Sequence, residues 1–223
     1  MLTDNEPQND LGLMTERLGV FGGTFDPPHI GHQILASEAL YQLGLDKVLW
    51  VLTPEPPHKR GRTITDLLTR MEMVAAAIEG CKSFEISRVE IDRPAPHYAV
   101  DTLRLLSEQN PGAELIYMMG GDSLYDLPQW YAYQEFVATC HALGVMRRPG
   151  DDIHLGWLET QIPGITPKVH FVDTPLLEIA ASTIRSRIQL EQSFQYYLPP
   201  SVYQIIQDYN LYRNDNESSR LSP

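Results

Sequence analysis

Leu18-Gly19-Val20-Phe21-Gly22-Gly23-Thr24-Phe25-Asp26-Pro27-Pro28-His29-Ile30-Gly31-His32 is the stretch around which the chain is organised. An apolar run ends in two glycines, and Leu35, Ala36, Ala39, Leu40 and Leu43 then recur at helical spacing. The order is strand, tight turn, helix. Glycines at a strand end let backbone amides come close to a ligand, because no β-carbon stands in the way. Amides at a helix N-terminus favour anions such as phosphates. His29 and His32 lie three residues apart, so on a first helical turn they share a face. Two imidazoles over a phosphate-binding turn point to stabilisation of a reacting phosphate. The plainer alternative is a glycine turn with two surface histidines.

Outward from this turn, Lys47-Val48-Leu49-Trp50-Val51-Leu52 is apolar almost throughout, as a strand buried on both faces should be. It runs into the proline-rich loop Thr53-Pro54-Glu55-Pro56-Pro57-His58-Lys59, which continues neither strand nor helix. Leu67, Met71, Val74, Ala75 and Ile78 mark a helix, Phe84 to Ile86 a short strand, and Ala99, Leu103 and Leu106 another helix. Leu115 to Met119 forms a strand ending at Gly120-Gly121-Asp122, with a helix near Tyr133 to Ala138 and a strand at Ala142 to Met146. Residues 151–167 show no clear period and read as a variable loop region, followed by a last strand at Val169 to Val172. Ser182 is placed to cap a helix containing Ile184 and Ile188, and Pro199-Pro200 to start another with Val202, Ile205, Ile206 and Tyr209 on one face. Strands alternating with helices define an α/β fold: Rossmann-like and doubly wound, with a mostly parallel sheet, helices on both faces and a helical C-terminal segment. Residues 1–16 read as a disordered leader, residues 17–213 as a single domain, and residues 214–223 as a frayed tail.

A chain of 223 residues with 43% apolar content can bury one good core. Its net charge of −12 argues against a general nucleic-acid or membrane binder. The basic residues gather in His58-Lys59-Arg60 with Arg62, in Arg147-Arg148, and in Arg185 with Arg187, which makes them candidate phosphate contacts. Cys81 and Cys140 are far apart and lack metal-ligand spacing, which fits two inert thiols in a reducing cytoplasm. No apolar run is long enough for a membrane span, and the first residues are polar rather than signal-like.

The opening turn resembles the nucleotidyltransferase signature GGTFDP, one residue, H, one residue, GH. His29-Ile30-Gly31-His32 also spells the HIGH motif of class I aminoacyl-tRNA synthetases, but no KMSKS-like lysine loop accompanies it. From about Leu18 to Tyr212 the chain resembles bacterial nicotinate-nucleotide adenylyltransferases. The resemblance rests on Pro56-Pro57-His58-Lys59, Tyr98 with Asp101-Thr102-Leu103, and Gly120-Gly121-Asp122-Ser123-Leu124 with Leu127-Pro128-Gln129-Trp130. Arg148-Pro149-Gly150, Ile184-Arg185 and Tyr197-Leu198-Pro199 complete it.

The resemblance implies a nucleotidyltransferase domain in which the phosphate of nicotinate mononucleotide attacks the α-phosphorus of ATP, releasing pyrophosphate in NAD biosynthesis. It implies His29, His32 and Arg185 as catalytic residues, with Mg²⁺ supporting the triphosphate and no protein metal site. For ATP it implies Gly22, Gly23, Thr24, Phe25, Gly120, Asp122, Ser182 and Ile184. For the mononucleotide it implies Lys59, Tyr98, Ala99, Trp130 and Arg148, with Trp130 against the pyridine ring. The partners implied are the two small-molecule substrates, with neither nucleic acid nor membrane, and a homo-oligomer is allowed.

Two positions depart from the family pattern. Ala180 and Ala181 stand where serines are usual, leaving helix amides and Arg185 to meet the phosphates, and His97-Tyr98-Ala99 stands where Ser-Tyr-Thr is common. The alternatives are an enzyme preferring nicotinamide mononucleotide or another acceptor such as phosphopantetheine, and a nucleotide-binding module without turnover.

Overall fold

A computed structural model describes residues 15–55, 64–147, 153–175 and 177–213. Six strands, β1 (Arg17–Gly23), β2 (Lys47–Leu52), β3 (Phe84–Ser87), β4 (Glu114–Gly120), β5 (Ala142–Met146) and β6 (Val169–Val172), form one sheet in the order β3-β2-β1-β4-β5-β6. Every pairing in it is parallel, which sharpens the expectation of a mostly parallel sheet. The chain winds outward from β1 to one edge, returns to β4 beside β1, and winds to the other edge. The carboxyl ends of β1 and β4 therefore diverge into a crevice, the place where such sheets bind ligands.

The alternation of side chains along the central strands explains the two-sided core. Leu18 and Val20 of β1, Leu49 and Val51 of β2, and Leu115 and Met119 of β4 face one side. There they meet Val100, Leu103 and Leu106 of α3 (Ala99–Gln109), Leu124 of α4 (Gly121–Asp126) and Phe136 of α5 (Tyr133–Thr139). Phe21, Val48, Trp50, Leu52, Ile116 and Met118 face the other side, against Ala36 and Ala39 of α1 (Ile30–Gln42) and Val74 of α2 (Leu67–Ile78). A third cluster holds the C-terminal segment: Ile184 and Ile188 of α7 (Ala181–Gln189) and Val202 and Ile206 of α8 (Pro200–Asp208) pack on Met73 and Ala77 of α2. Tyr209, expected on the apolar face of α8, is instead 51% exposed, and its hydroxyl meets the Glu72 carboxylate.

Two local expectations change. Residues 151–167, read as loop, contain the helix α6 (Leu155–Gln161) and a 3₁₀ turn at Thr166–Lys168. A helix of 7 residues offers too few repeats for a period to show. Tertiary contacts hold it: Leu158, Ile162 and Ile165 join the core, and the Glu159 carboxylate accepts from the backbone amides of Gly164 and Thr166. The second change is at α7, which begins two residues before the start that a Ser182 cap would give. Ala180 is its N-cap and supplies no side-chain bond.

Leu103 is completely buried beneath the sheet. Leu103→Ala should lower the unfolding free energy in urea by about 2–5 kcal/mol, the usual cost of a Leu-sized cavity.

Candidate active site

The turn between β1 and α1 is built from inside out. Phe25 has φ of 48°, the left-handed region that is unfavourable for a bulky residue. That backbone turns the ring under the end of the strand, where it is 2% exposed. There it lies edge-on to Phe21 and His32 with centroids 5.5 and 5.1 Å away, and tilted against Trp50 at 5.0 Å. A β-carbon on Gly23 would come within 2.8 Å of this ring, so Gly23 is required first by packing. Phe25 can therefore face a nucleotide only through its backbone.

His29 is the N-cap of α1 and His32 its third residue, and the His29 backbone N–H donates to His32 Nδ1 at 3.1 Å. With Nδ1 accepting, the neutral His32 ring carries its proton on Nε2 and can donate there. The two rings stack at 3.7 Å. Gly31 makes this possible, since a β-carbon on it would lie 3.0 Å from His29 Nδ1. The histidine pair expected on one helical face is thus found, with the glycine between them clearing the space. Burial lowers the His29 pKa to about 4, so the ring is neutral near pH 7.

Behind this pair, Asp26 joins distant parts of the chain. Its backbone carbonyl accepts from the Arg185 guanidinium of α7, and its Oδ1 accepts from the Tyr212 hydroxyl at 2.7 Å. Burial pushes the Tyr212 phenol above its ordinary pKa, so it remains a protonated donor. Arg187, grouped with Arg185 by sequence, turns away; its guanidinium lies over the Tyr197 ring and donates to the Ser193 carbonyl. Asp26 and Tyr212 were invisible as partners in the sequence because 186 positions separate them.

A cavity of about 280 Å³ opens in the crevice between β1 and β4, lined by Gly22, His32, Tyr117, Gly120, Trp130 and Arg147, among others. Gly22, His32, Gly120 and Trp130 were all expected at the site. Tyr117 was not; a tyrosine inside a strand reads as core, yet its hydroxyl approaches Gly22 within the cavity. Trp130 stands edge-on to Tyr117 and Phe136. Asp122, on the first turn of α4, lines a neighbouring hollow of about 120 Å³ with His154 and Trp157. Tyr98, the N-cap of α3, stacks on Tyr131 at 4.3 Å, a partner missed in the sequence, and Ala99 begins the helix.

The other expected residues divide. Thr24 is half-buried in the turn after β1, and Ser182 is exposed on the first turn of α7. Ile184 is placed elsewhere: its side chain is fully buried against α2 and α8, and its amide donates to Ala180 O at 3.1 Å. An isoleucine with that periodicity serves the core. Lys59 and Arg148, with the loop 56–63, lie outside the described residues. Arg147 ion-pairs with Asp173 at 2.8 Å on the cavity rim. Cys140 is buried and its thiol pushed up to about 12, in keeping with an inert role.

The profile of the cytidylyltransferase-like family matches residues 20–187, which sets the class as a nucleotidyltransferase. A probable nicotinate-nucleotide adenylyltransferase of Thermomicrobium roseum is 42% identical over 197 residues, covering 88% of this chain and 92% of its own. The nicotinate-nucleotide adenylyltransferase of Bacillus subtilis is 36% identical over 199 residues, covering 89% and 100%. The chain belongs to the nicotinate-nucleotide adenylyltransferase family. The fold is shared with the Plasmodium falciparum nicotinic acid mononucleotide adenylyltransferase complexed with NaAD, at a TM-score of 0.74 and 19% identity over 88% of this chain and 97% of that one.

The depressed His29 pKa links the site to stability. Between pH 6.5 and about 4 the unfolded chain binds a proton at His29 that the folded chain does not. Its contribution is complete above pH 6.5 and is lost as pH falls toward 4, by about 3 kcal/mol in all. An NMR titration should place the His29 midpoint near 4, and His29→Gln should flatten the urea stability profile across that window.

Proposed function

We propose that this chain transfers the adenylyl group of ATP to the phosphate of nicotinate mononucleotide, giving nicotinate adenine dinucleotide and pyrophosphate for NAD biosynthesis in the cytoplasm, with residues 17–213 acting as one nucleotidyltransferase domain. The observation that carries this reading is the stacked His29–His32 pair beside the crevice of a nucleotidyltransferase sheet. Among the described residues no helix is long and apolar enough to cross a membrane.

The nucleophile needs little help. A phosphate monoester has a second pKa near about 6 and is largely dianionic at neutral pH. One of its oxygens forms a bond to the α-phosphorus of ATP while the bond from that phosphorus to the bridging oxygen breaks, and pyrophosphate leaves with the electron pair. The protein's part is to hold two anions in line and offset the charge that builds between them. His32 donates from Nε2, and Arg185 supplies a fixed positive charge. A triphosphate beside His29 favours its charged form, so positive charge develops there as the nucleotide binds. Gly22, Gly23 and the backbone of Thr24 and Phe25 frame the phosphates, while Gly120 and Asp122 serve the adenosine ribose.

Ala180 and Ala181 supply no hydroxyl, but α7 begins there. Its first-turn amides, Ser182's among them, have no acceptor within the helix and suit a phosphate. Trp130, with Tyr98 nearby, holds the pyridine ring. The Ala99 amide, in the first turn of α3, meets the nicotinate carboxylate through the backbone, so the missing hydroxyl does not abolish the contact. Lys59 and Arg148 contact phosphates on the mononucleotide side. Among the described residues no three His, Cys, Asp or Glu side chains gather to hold a metal. Mg²⁺ comes with the triphosphate, bound to its oxygens, as is usual for this ion.

Pyrophosphate release from Mg-ATP should depend on added nicotinate mononucleotide and be slower with nicotinamide mononucleotide. Preference for the amide would refute the acid assignment, and ATP binding without release in either case would identify a module without turnover. His29→Ala and His32→Ala should each lower kcat by about 10²-fold or more, with smaller effects on ATP affinity. Wild-type kcat in both would remove the pair from the mechanism.

A further inference from the structure

Arg70 is a charged side chain with no route to solvent. It lies on the first turn of α2, is 2% exposed, and ranks among the largest fully buried side chains in the protein. A guanidinium in that position is costly unless its donors are met. Among the described residues four hydrogen bonds meet them, all to backbone carbonyls. Nε donates to Thr65 O at 2.8 Å, one terminal nitrogen to Thr24 O at 3.0 Å and Thr53 O at 2.9 Å, and the other to Pro54 O at 2.9 Å. The charge of Asp26 opposes the cost of burying it.

These four carbonyls come from three places: the phosphate-binding turn, the end of β2, and the residue just before the N-cap of α2. A planar fork reaches all of them at once. A lysine ammonium, with three donors on one point, does not match that pattern. The bond to Thr24 has a directional consequence. The Thr24 carbonyl and the Phe25 N–H belong to one trans peptide and point in opposite directions. Holding the carbonyl inward on Arg70 turns the Phe25 N–H to the other side of the turn. It does so at a residue held in the uncommon left-handed region, with φ of 48°. A second tie works in the same sense, since the Thr53 amide donates to Gly23 O at 2.9 Å.

We propose that Arg70 is a positioning residue for adenylyl transfer: from beneath the turn it sets the Thr24–Phe25 peptide against the end of β2, so that the turn presents its amide donor to the nucleotide phosphates. The proposal rests on the adenylyl-transfer reading above. It acts on the ATP side of the site, whereas the mononucleotide elements Trp130, Tyr98 and Ala99 lie on other segments, after the 3₁₀ turn at Leu127–Gln129 and at the start of α3.

The test is Arg70→Lys in the full chain, followed by thermal melting, calorimetric ATP binding, and kcat and KM for each substrate. ATP affinity and kcat/KM for ATP should fall about tenfold or more, while the mononucleotide KM stays within about twofold. Wild-type values for ATP would overturn the proposal. So would a loss of kcat that follows the folded fraction with both KM values unchanged, since that marks a purely structural role. Should Arg70→Lys give no cooperative melt, Arg70→Gln takes its place; if neither folds, the residue serves the fold as a whole and the proposal fails. A wild-type protein that turns over neither mononucleotide would sink the functional reading instead. Calorimetric ATP binding, which needs no turnover, still decides the role of Arg70.

Discussion

Phe25 bends its ring under the strand that carries it, into a pocket made by Phe21, Trp50 and His32, and the geometry of the site follows from that burial. An aromatic side chain removed from water in this way outweighs the roughly 1–3 kcal/mol of strain at a left-handed residue. The contact also supports His32, on which His29 stacks at 3.7 Å. The histidine pair is thus held by packing from below. The three glycines of the motif do separate jobs: Gly23 clears the ring of Phe25, Gly31 clears the ring of His29, and Gly22 lines the cavity.

Charge is handled by a different rule beneath the turn from the one at its surface. Underneath, Arg70 and Asp26 are both almost fully buried, and their polar atoms meet backbone carbonyls and the Tyr212 hydroxyl. Their hydrogen bonds define positions more than they add stability, because the desolvation of each charge offsets most of the attraction. Behind the cavity-lining His32, His29 is kept neutral by burial.

The sheet supplies the crevice, but elements far along the chain complete the site. Helix α7 rests on α2 through Ile184 and Ile188, and this places Arg185 against Asp26. After α8, the chain returns far enough for Tyr212 to reach the same residue. The C-terminal helices are therefore tied to the β1–α1 turn through their packing on α2. The replacement of two expected hydroxyls by Ala180 and Ala181 leaves this packing, and the helix N-terminus it positions, in place.

Much of this was legible in the sequence, and the limits have physical causes. Apolar runs of strand length, helical spacing after Gly23, and glycines and prolines between them determined the six strands, the α/β class and the placing of His29 and His32, because each is a property of a few adjacent residues. The short helix α6 escaped notice because it is held by Leu158, Ile162 and Ile165 docking on a core built elsewhere. Ile184 looked like a site residue from its motif and proved to be core, since neighbours in sequence do not reveal which side of a helix meets α2. Tyr117, Tyr131, Arg70 and Tyr212 acquired their roles only when the strand order brought β1 beside β4 and the chain end beside Asp26. By itself the sequence determined the local conformation and the chemical groups available. Tertiary structure alone decided which of those groups meet, because hydrogen bonds and ring contacts between residues up to 186 positions apart depend on the packing of the whole sheet and its helices.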